Sequence, residues 1–144
     1  MLYSLDVSRR NPKSDAIPSF HDGSFDGVMI PAENKAHLFL TTLDNQQFTL
    51  ALEGVKALHL WNIREGNIVF EVGFIDTDQL TESHIESAYE ISDIGRDRQI
   101  ATLLASARKE GLRMLEMTTS YGAEGVVLFK DIELLERQQS AFEA

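Results

Sequence analysis

The stretch that decides the fold is Ala36-His-Leu-Phe-Leu-Thr-Thr-Leu43, followed by Asp44-Asn-Gln46 and then by Gln47-Phe-Thr-Leu-Ala-Leu-Glu53. In the last run every second residue is Phe or Leu, which is the period of a β-strand that buries one face. The Asp-Asn-Gln step between the two runs is typical of a turn. The pattern therefore predicts a β-hairpin with strands over Ala36–Leu43 and Gln47–Glu53.

Similar short segments lie on both sides of this hairpin. The further segments predicted as strands are Ser24–Ile30, Val55–Trp61, Asn67–Ile75, Leu112–Thr119 and Gly125–Glu136. In Asn67–Ile75 the alternation places one set of apolar residues on the same side, namely Ile68, Phe70, Val72 and Phe74. Two other segments have helical periodicity, Leu80–Ile91 and Arg96–Glu110, and in the second of them the apolar residues Ile100, Leu103, Leu104 and Ala107 recur at helical spacing.

Short turns join most of the β segments, and short connections favour antiparallel pairing. The predicted fold class is therefore α+β, with a mainly antiparallel, curved sheet of about six strands that forms a sandwich or an open barrel. One main helix and one short helix complete this fold. We expect the main helix, Arg96–Glu110, to pack on the sheet.

The chain length of 144 residues indicates a single domain over residues 1–144. Residues 1–18 are polar and interrupted by Pro12 and Pro18, so we predict an irregular N-terminal segment, and we expect residues 140–144 to fray. The sequence has no cysteine, which excludes disulfides, thiolate metal sites and a Cys nucleophile. It shows neither a signal peptide nor a membrane span, so the expected location is the cytoplasm.

Negative charge is the most distinctive property of the composition. The formal net charge is −10, which argues against nucleic acid and membranes as partners and favours a basic protein partner. Between Arg64 and Arg96 there are eight carboxylates and no Lys or Arg. Four of them, which we call the acidic row, are spaced four residues apart: Asp78, Glu82, Glu86 and Glu90.

On one continuous helix the acidic row would share a face, and each like-charge pair would cost about 0.2–0.5 kcal/mol. A chain that accepts this cost has either a merely solvated face or a surface that binds something positively charged. Both interpretations stay open at the level of sequence. We take the acidic row as the candidate partner-binding surface.

The densest polar group beside a predicted strand is His21, Asp22 and Asp26, which we call the His21 cluster. A His flanked by carboxylates is typical of a general base or a metal ligand. The same segment contains two Asp-Gly steps, which are typical of turns. The turn interpretation is therefore preferred, and a ligand site at the His21 cluster is the alternative.

Other patterns do not predict catalysis or metal binding. His84 is two residues from both Glu82 and Glu86, whereas ligands on one helix face need a spacing of three or four. The segment Asp76–Glu82 lacks the sixth-position glycine of an EF-hand loop. The motifs of serine hydrolases and phosphate-binding loops are absent. We therefore expect no metal, no cofactor and no enzymatic activity.

Short, turn-rich motifs occur along the chain in three groups. They are Phe20–Gly23; Leu52–Val55 with Leu58 and Glu65–Ile68; and Leu115–Glu116 with Ser120–Glu124. This arrangement resembles small bacterial β-rich proteins of largely unknown function, some of which are similar to immunity proteins of polymorphic toxin systems. The resemblance extends from Phe20 to Glu136. It implies a cytoplasmic, non-enzymatic binding role and supplies no catalytic residues.

Three functions follow as hypotheses. The first is a protein-binding module, most concretely an immunity protein that neutralises a cognate basic toxin domain. The second is a small-molecule-binding or hydrolytic domain that uses the His21 cluster. The third is a structural subunit that forms homo-oligomers through a sheet edge.

Overall fold

An antiparallel sheet organises the chain in this computed structural model, which describes residues 3–12 and 16–139. Within them, nine strands form the sheet in the spatial order β1-β9-β4-β3-β2-β6-β7-β8-β5. The strands are β1 (Tyr3–Arg10), β2 (Ser24–Met29), β3 (Lys35–Thr41), β4 (Gln47–Glu53), β5 (Ala57–Trp61), β6 (Asn67–Ile75), β7 (Arg113–Tyr121), β8 (Glu124–Phe129) and β9 (Asp131–Gln139). Two helices, α1 (Glu82–Ala88) and α2 (Arg96–Glu110), connect β6 to β7.

The predicted α+β class and the mainly antiparallel sheet are confirmed. The hairpin that decides the fold forms as β3 and β4, with Leu38 opposite Leu50. The predicted number of about six strands is too low. The sheet is open, with β1 and β5 at its two edges, so the predicted sandwich or barrel does not describe it in detail.

The sequence predicts seven separate β segments, and the two further strands come from two places. Tyr3–Arg10 forms β1, so the prediction of an irregular segment over residues 1–18 is wrong for these residues. The segment Gly125–Glu136, predicted as one strand, turns at exposed Lys130 and becomes β8 and β9. Both errors have one cause: β1 pairs with β9 and β9 with β4, and contacts so distant in sequence leave no local pattern. The predicted frayed tail, residues 140–144, lies outside the described residues.

Helix α2 has the predicted bounds, Arg96–Glu110. Gly95 and Gly111 flank it, and both adopt left-handed backbone angles, with φ of 68° and 71°. This conformation suits glycine because it has no Cβ. At the C-terminal end the Gly111 N–H reaches the Arg108 carbonyl, which is the usual way to end a helix.

The core consists of two clusters on opposite faces of the curved sheet. On the inner face, side chains of β3, β4 and β9 meet side chains of β7 and β8, among them Leu38, Leu50, Leu115, Phe129 and Leu134. On the outer face, the helices cover one end of β7 and β8, and Ile85, Ile100 and Leu104 pack with Met114 and Leu128. The sheet therefore folds around one core, and the helices seal a second one.

The sheet bends most where β2 meets β6. Only two residue pairs join these strands in the described part of the chain, Ser24 with Ile68 and Phe25 with Asn67. Both strands have register shifts beside this junction. β-Bulges of this kind bend strands, and they occur often beside functional sites.

Buried Asn67 holds the junction together. Its side-chain oxygen accepts hydrogen bonds from the backbone N–H groups of Arg64 and Ala123, both at 2.8 Å. Its amide nitrogen donates to the carbonyl oxygens of Phe25 at 3.2 Å and Arg64 at 2.6 Å. One side chain thus ties β2, the loop before β6 and the turn before β8 into a fixed geometry.

Candidate functional site

The acidic row does not lie on one helix face. The predicted helix over Leu80–Ile91 is shorter in the structure, because α1 spans only Glu82–Ala88. Asp78 belongs to a separate 3-10 turn, Thr77–Gln79, and Glu90 follows the end of α1. Only Glu82 and Glu86 are neighbours one turn apart on α1.

The interruptions have identifiable physical causes. Leu80 is fully buried and has an extended backbone, and the Arg108 guanidinium donates to its carbonyl oxygen at 2.8 Å. Thr81 is also extended, and its N–H donates to the ring Nδ1 of His84 at 2.9 Å. His84, which the spacing rule excluded as a metal ligand, therefore helps to begin α1.

All four residues of the acidic row are exposed. Glu86 accepts a hydrogen bond from the Arg96 guanidinium at 3.1 Å, which forms an ion pair between α1 and the start of α2. Among residues 9–12 and 16–137, Asp78, Glu82 and Glu90 have no ion pair. The row thus consists of one neutralised carboxylate and three whose charges face solvent.

Glu90 lies on a groove of about 420 Å³ between the end of α1 and α2. Tyr89 and Leu103 are half-buried and line this groove together with Arg98. Burial raises the pKa of the Tyr89 hydroxyl, and the negative charge of Glu110 acts in the same direction. The groove therefore combines an apolar wall with charges of both signs.

His21 lies in the turn that precedes β2. Its ring Nδ1 is 2.9 Å from the carbonyl oxygen of Phe70, at the bulge of β6, and therefore acts as the donor. Its Nε2 is 3.5 Å from the Asp22 carboxylate, a contact that is an ion pair when the ring is protonated. Asp22 has a positive φ of 61°, and its N–H donates to the Val69 carbonyl. These contacts attach the turn to β6.

Asp26 has different partners from the rest of the His21 cluster. It lies at the bulge of β2, and its two carboxylate oxygens accept hydrogen bonds from the hydroxyl groups of Ser24 at 2.7 Å and Thr41 at 2.5 Å. The structure thus brings His21 and Asp22 together and gives Asp26 a bridging position between β2 and β3. A carboxylate whose two oxygens both accept hydrogen bonds has less capacity left for a ligand.

Two shallow grooves lie beside His21. One, of about 400 Å³, also has Pro18, Phe70 and Glu71 in its lining. The other, of about 650 Å³, extends toward Leu43 and Asp44 in the turn between β3 and β4. Both are open rather than enclosed, so a ligand here would keep much of its surface in water.

The alternation of residue types along β6 does not predict which side chains of this strand are exposed. Phe70 and Ile68 were expected on the same side as Val72 and Phe74, but they are 50 % and 43 % exposed, and Val69 is buried instead. The register shifts around Val69 exchange the two faces of the strand at this point. Tyr121, which pairs with Ile68 on β7, is also about half exposed. No residue type in this segment marks the bulge, so periodicity alone does not reveal this apolar patch.

Comparisons with protein-family models, with curated proteins and with solved structures found no match for this chain. In the part of the chain that the structure describes, no three His, Asp or Glu side chains are grouped so that they could hold a metal ion. In the same residues no helix is long and apolar enough to cross a membrane. The geometry of the surface is therefore the basis for assigning a function.

Proposed function

We propose that this protein is a non-enzymatic binding module for a basic protein, most concretely an immunity protein that occludes a basic toxin domain. The observation that carries the proposal is the state of the acidic row. Asp78, Glu82 and Glu90 are exposed and form no ion pair within the described residues, so their charge is available to a partner. The more specific immunity role rests in addition on the turn-rich motifs from Phe20 to Glu136, which resemble those of small bacterial β-rich proteins, some of them similar to immunity proteins.

The surrounding charge supports the proposal. A net charge of −10 attracts a basic partner over long distances and raises the rate of encounter. An interface also needs apolar contact, because charge acts more on the rate of association than on the lifetime of a complex. The exposed patch of Ile68, Phe70 and Tyr121 offers such contact on the same chain.

The test begins with capture of the partner from the native host by the tagged protein and its identification by mass spectrometry. The triple variant Asp78→Asn, Glu82→Gln, Glu90→Gln should recover less of a basic partner at low ionic strength. The matched control, Glu33→Gln with Asp44→Asn and Glu65→Gln, removes three exposed charges elsewhere and should recover as much as the wild type. An asparagine at position 44 keeps an oxygen for the Thr42 hydroxyl that now bonds Asp44.

The immunity role has its own test. The captured partner is expressed in a heterologous host with and without this chain. Growth arrest that this chain relieves supports immunity. A basic partner that causes no arrest contradicts the toxin assignment, and recovery of no basic partner contradicts the binding role.

A second candidate function is a small-molecule-binding or hydrolytic domain that uses the His21 cluster. One observation favours it: two grooves meet at the exposed ring of His21. The contacts of His21 with the Phe70 carbonyl and of Asp26 with two hydroxyl groups favour a structural role for the same residues. A hydrolysis screen on ester and phosphoester substrates, with wild type and His21→Gln, separates these alternatives, because activity lost with His21→Gln would support the site.

A further inference from the structure

The two edges of the sheet differ in how they are protected against pairing. Edge strand β1 carries three charged residues, Asp6, Arg9 and Arg10, and has a register shift between Leu5 and Val7. The Arg10 guanidinium is also fixed by an ion pair with Glu53 at 3.0 Å. Charges and bulges are among the devices by which natural proteins keep edge strands from pairing with other chains.

Edge strand β5 has neither a charge nor a bulge. Its sequence, Ala-Leu-His-Leu-Trp, contains no charged residue and no proline, and its pairing with β8 has no register shift. All five residues are half-buried or exposed, whereas the interior of the central strand β4 is fully buried. An apolar edge of this kind favours the addition of another strand.

From this difference we infer that β5 is a self-association surface, which pairs antiparallel with β5 of a second copy of this chain about a two-fold axis at His59. The symmetry fixes the register, because His59 then lies opposite its own copy. Leu58 lies opposite Leu60, and both side chains pack against the inner core, which the second copy extends. The large Trp61 lies opposite the small Ala57, so the bulky side chain meets the residue that leaves room for it.

Local charge permits this contact in spite of the acidic composition. The segment from Gly54 to Arg64 contains Lys56 and Arg64 but no carboxylate. Above the strand, α1 directs Glu86 toward Arg96 of α2, while the Ser87 carbonyl of α1 is 3.1 Å from the His59 ring. The nearest carboxylate to Trp61 in the described contacts, Glu124, accepts the indole N–H at 3.1 Å.

Sedimentation of the full chain over a range of concentrations tests the inference. A five-residue strand pairing is at the small end of specific interfaces, so we expect a weak dimer whose population rises with concentration. The average mass should then rise from 16.2 kDa toward twice that value. His59→Glu and His59→Lys place like charges directly opposite each other, and each should weaken the dimer by about two- to fivefold.

Mixing the two variant chains is the decisive step. Because the axis places position 59 opposite itself, the mixture of His59→Glu and His59→Lys chains should associate at least as well as the wild type. Gln99→Glu adds the same charge on α2 and should leave association unchanged. Thermal midpoints of all variants show that each remains folded.

Association that both variants weaken and their mixture restores supports the inference. A chain that stays monomeric at every concentration overturns it, and so does a dimer that the His59 variants do not affect. Weakened dimers that mixing does not restore overturn the proposed axis and register. None of these results depends on the capture of a basic partner, so the inference and the proposed function can fail separately.

Discussion

The His21 cluster and the acidic row are both groups of charged residues on the surface, but they differ in their contacts. In the His21 cluster, the His21 ring and the Asp22 backbone N–H donate to β6, and the Asp26 carboxylate accepts hydrogen bonds from Ser24 of its own strand and Thr41 of β3. In the acidic row, only Glu86 has an ion pair among the described residues. The comparison teaches that the polar residues around His21 satisfy one another within the fold, whereas three carboxylates of the acidic row leave their charge to solvent.

The largest expected effect is at Asn67, in the junction that supports the His21 turn. Replacing it with alanine removes four hydrogen bonds and leaves buried backbone groups without partners. We expect Asn67→Ala to lower the free energy of unfolding by about 3 kcal/mol, since stranded buried polar groups cost about 1–3 kcal/mol each. Urea unfolding measures this loss.

The control for Asn67 is Gln99→Ala, which removes an exposed amide from α2. It should change the free energy of unfolding by less than about 0.5 kcal/mol. If Asn67→Ala and Gln99→Ala both lowered the free energy of unfolding by the same small amount, the stability of the junction would not depend on the hydrogen bonds of Asn67.

Asp22 should show the next largest effect. Its φ of 61° disfavours a β-branched side chain, so Asp22→Val should cost about 1–2 kcal/mol of stability. Asp22→Gly should cost little, because glycine adopts this conformation readily. Thermal unfolding of the two variants measures these losses. A large loss for Asp22→Val with a small one for Asp22→Gly shows that the backbone conformation matters at this position, whereas equal losses would show that the Asp22 side chain does.

We expect His21→Ala to lower the thermal midpoint slightly and to leave partner binding intact. The reason is that the contacts of the ring within the described residues are internal: a hydrogen bond to the Phe70 carbonyl and a contact with the Asp22 carboxylate. The ring is more than half exposed, so the loss should be smaller than that of Asp22→Val. Binding and unfolding are measured on the same preparation. An unchanged thermal midpoint together with lost binding would show that the His21 cluster is a binding site and not a structural part of the turn.

The smallest expected effect concerns an exposed ion pair at the other end of the sheet. The side-chain hydrogen bond and charge of Arg10 hold the pKa of Glu53 below its usual value. A lowered pKa in the folded state contributes stability above the unfolded pKa, and this contribution disappears as the pH falls through the folded pKa. Arg10→Ala should therefore raise the pKa of Glu53 toward its usual value, which NMR titration of Glu53 detects. The free energy of unfolding of this variant should also fall less steeply than that of the wild type as the pH becomes acidic.

Elements with a complete local pattern could be predicted from the sequence. The hairpin of β3 and β4 and the helix Arg96–Glu110 have regular periodicity and clear ends, and both are confirmed. What could not be predicted depends on distant partners. β1 forms by pairing with β9, and Lys130 separates two strands because β9 pairs with β4 at the other side of the sheet.

The candidate sites follow the same rule. Spacing identified the acidic row but not its division among a 3-10 turn, α1 and the residues after α1. That division depends on buried Leu80 and on the bond from Arg108 to its carbonyl, 28 residues away in the sequence. Likewise, the exposed position of Phe70 depends on a bulge that arises from pairing with β7.

The most direct test of the central claim is the rate at which the captured basic partner associates with this protein at two salt concentrations. We expect the variant Asp78→Asn, Glu82→Gln, Glu90→Gln to associate about tenfold more slowly at low ionic strength, with little change in dissociation. Its salt dependence should be flatter, because salt screens exposed charges beyond about 8–10 Å and fewer such charges remain. A salt slope equal to that of the wild type would contradict the claim, because the acidic row would then contribute solubility rather than binding.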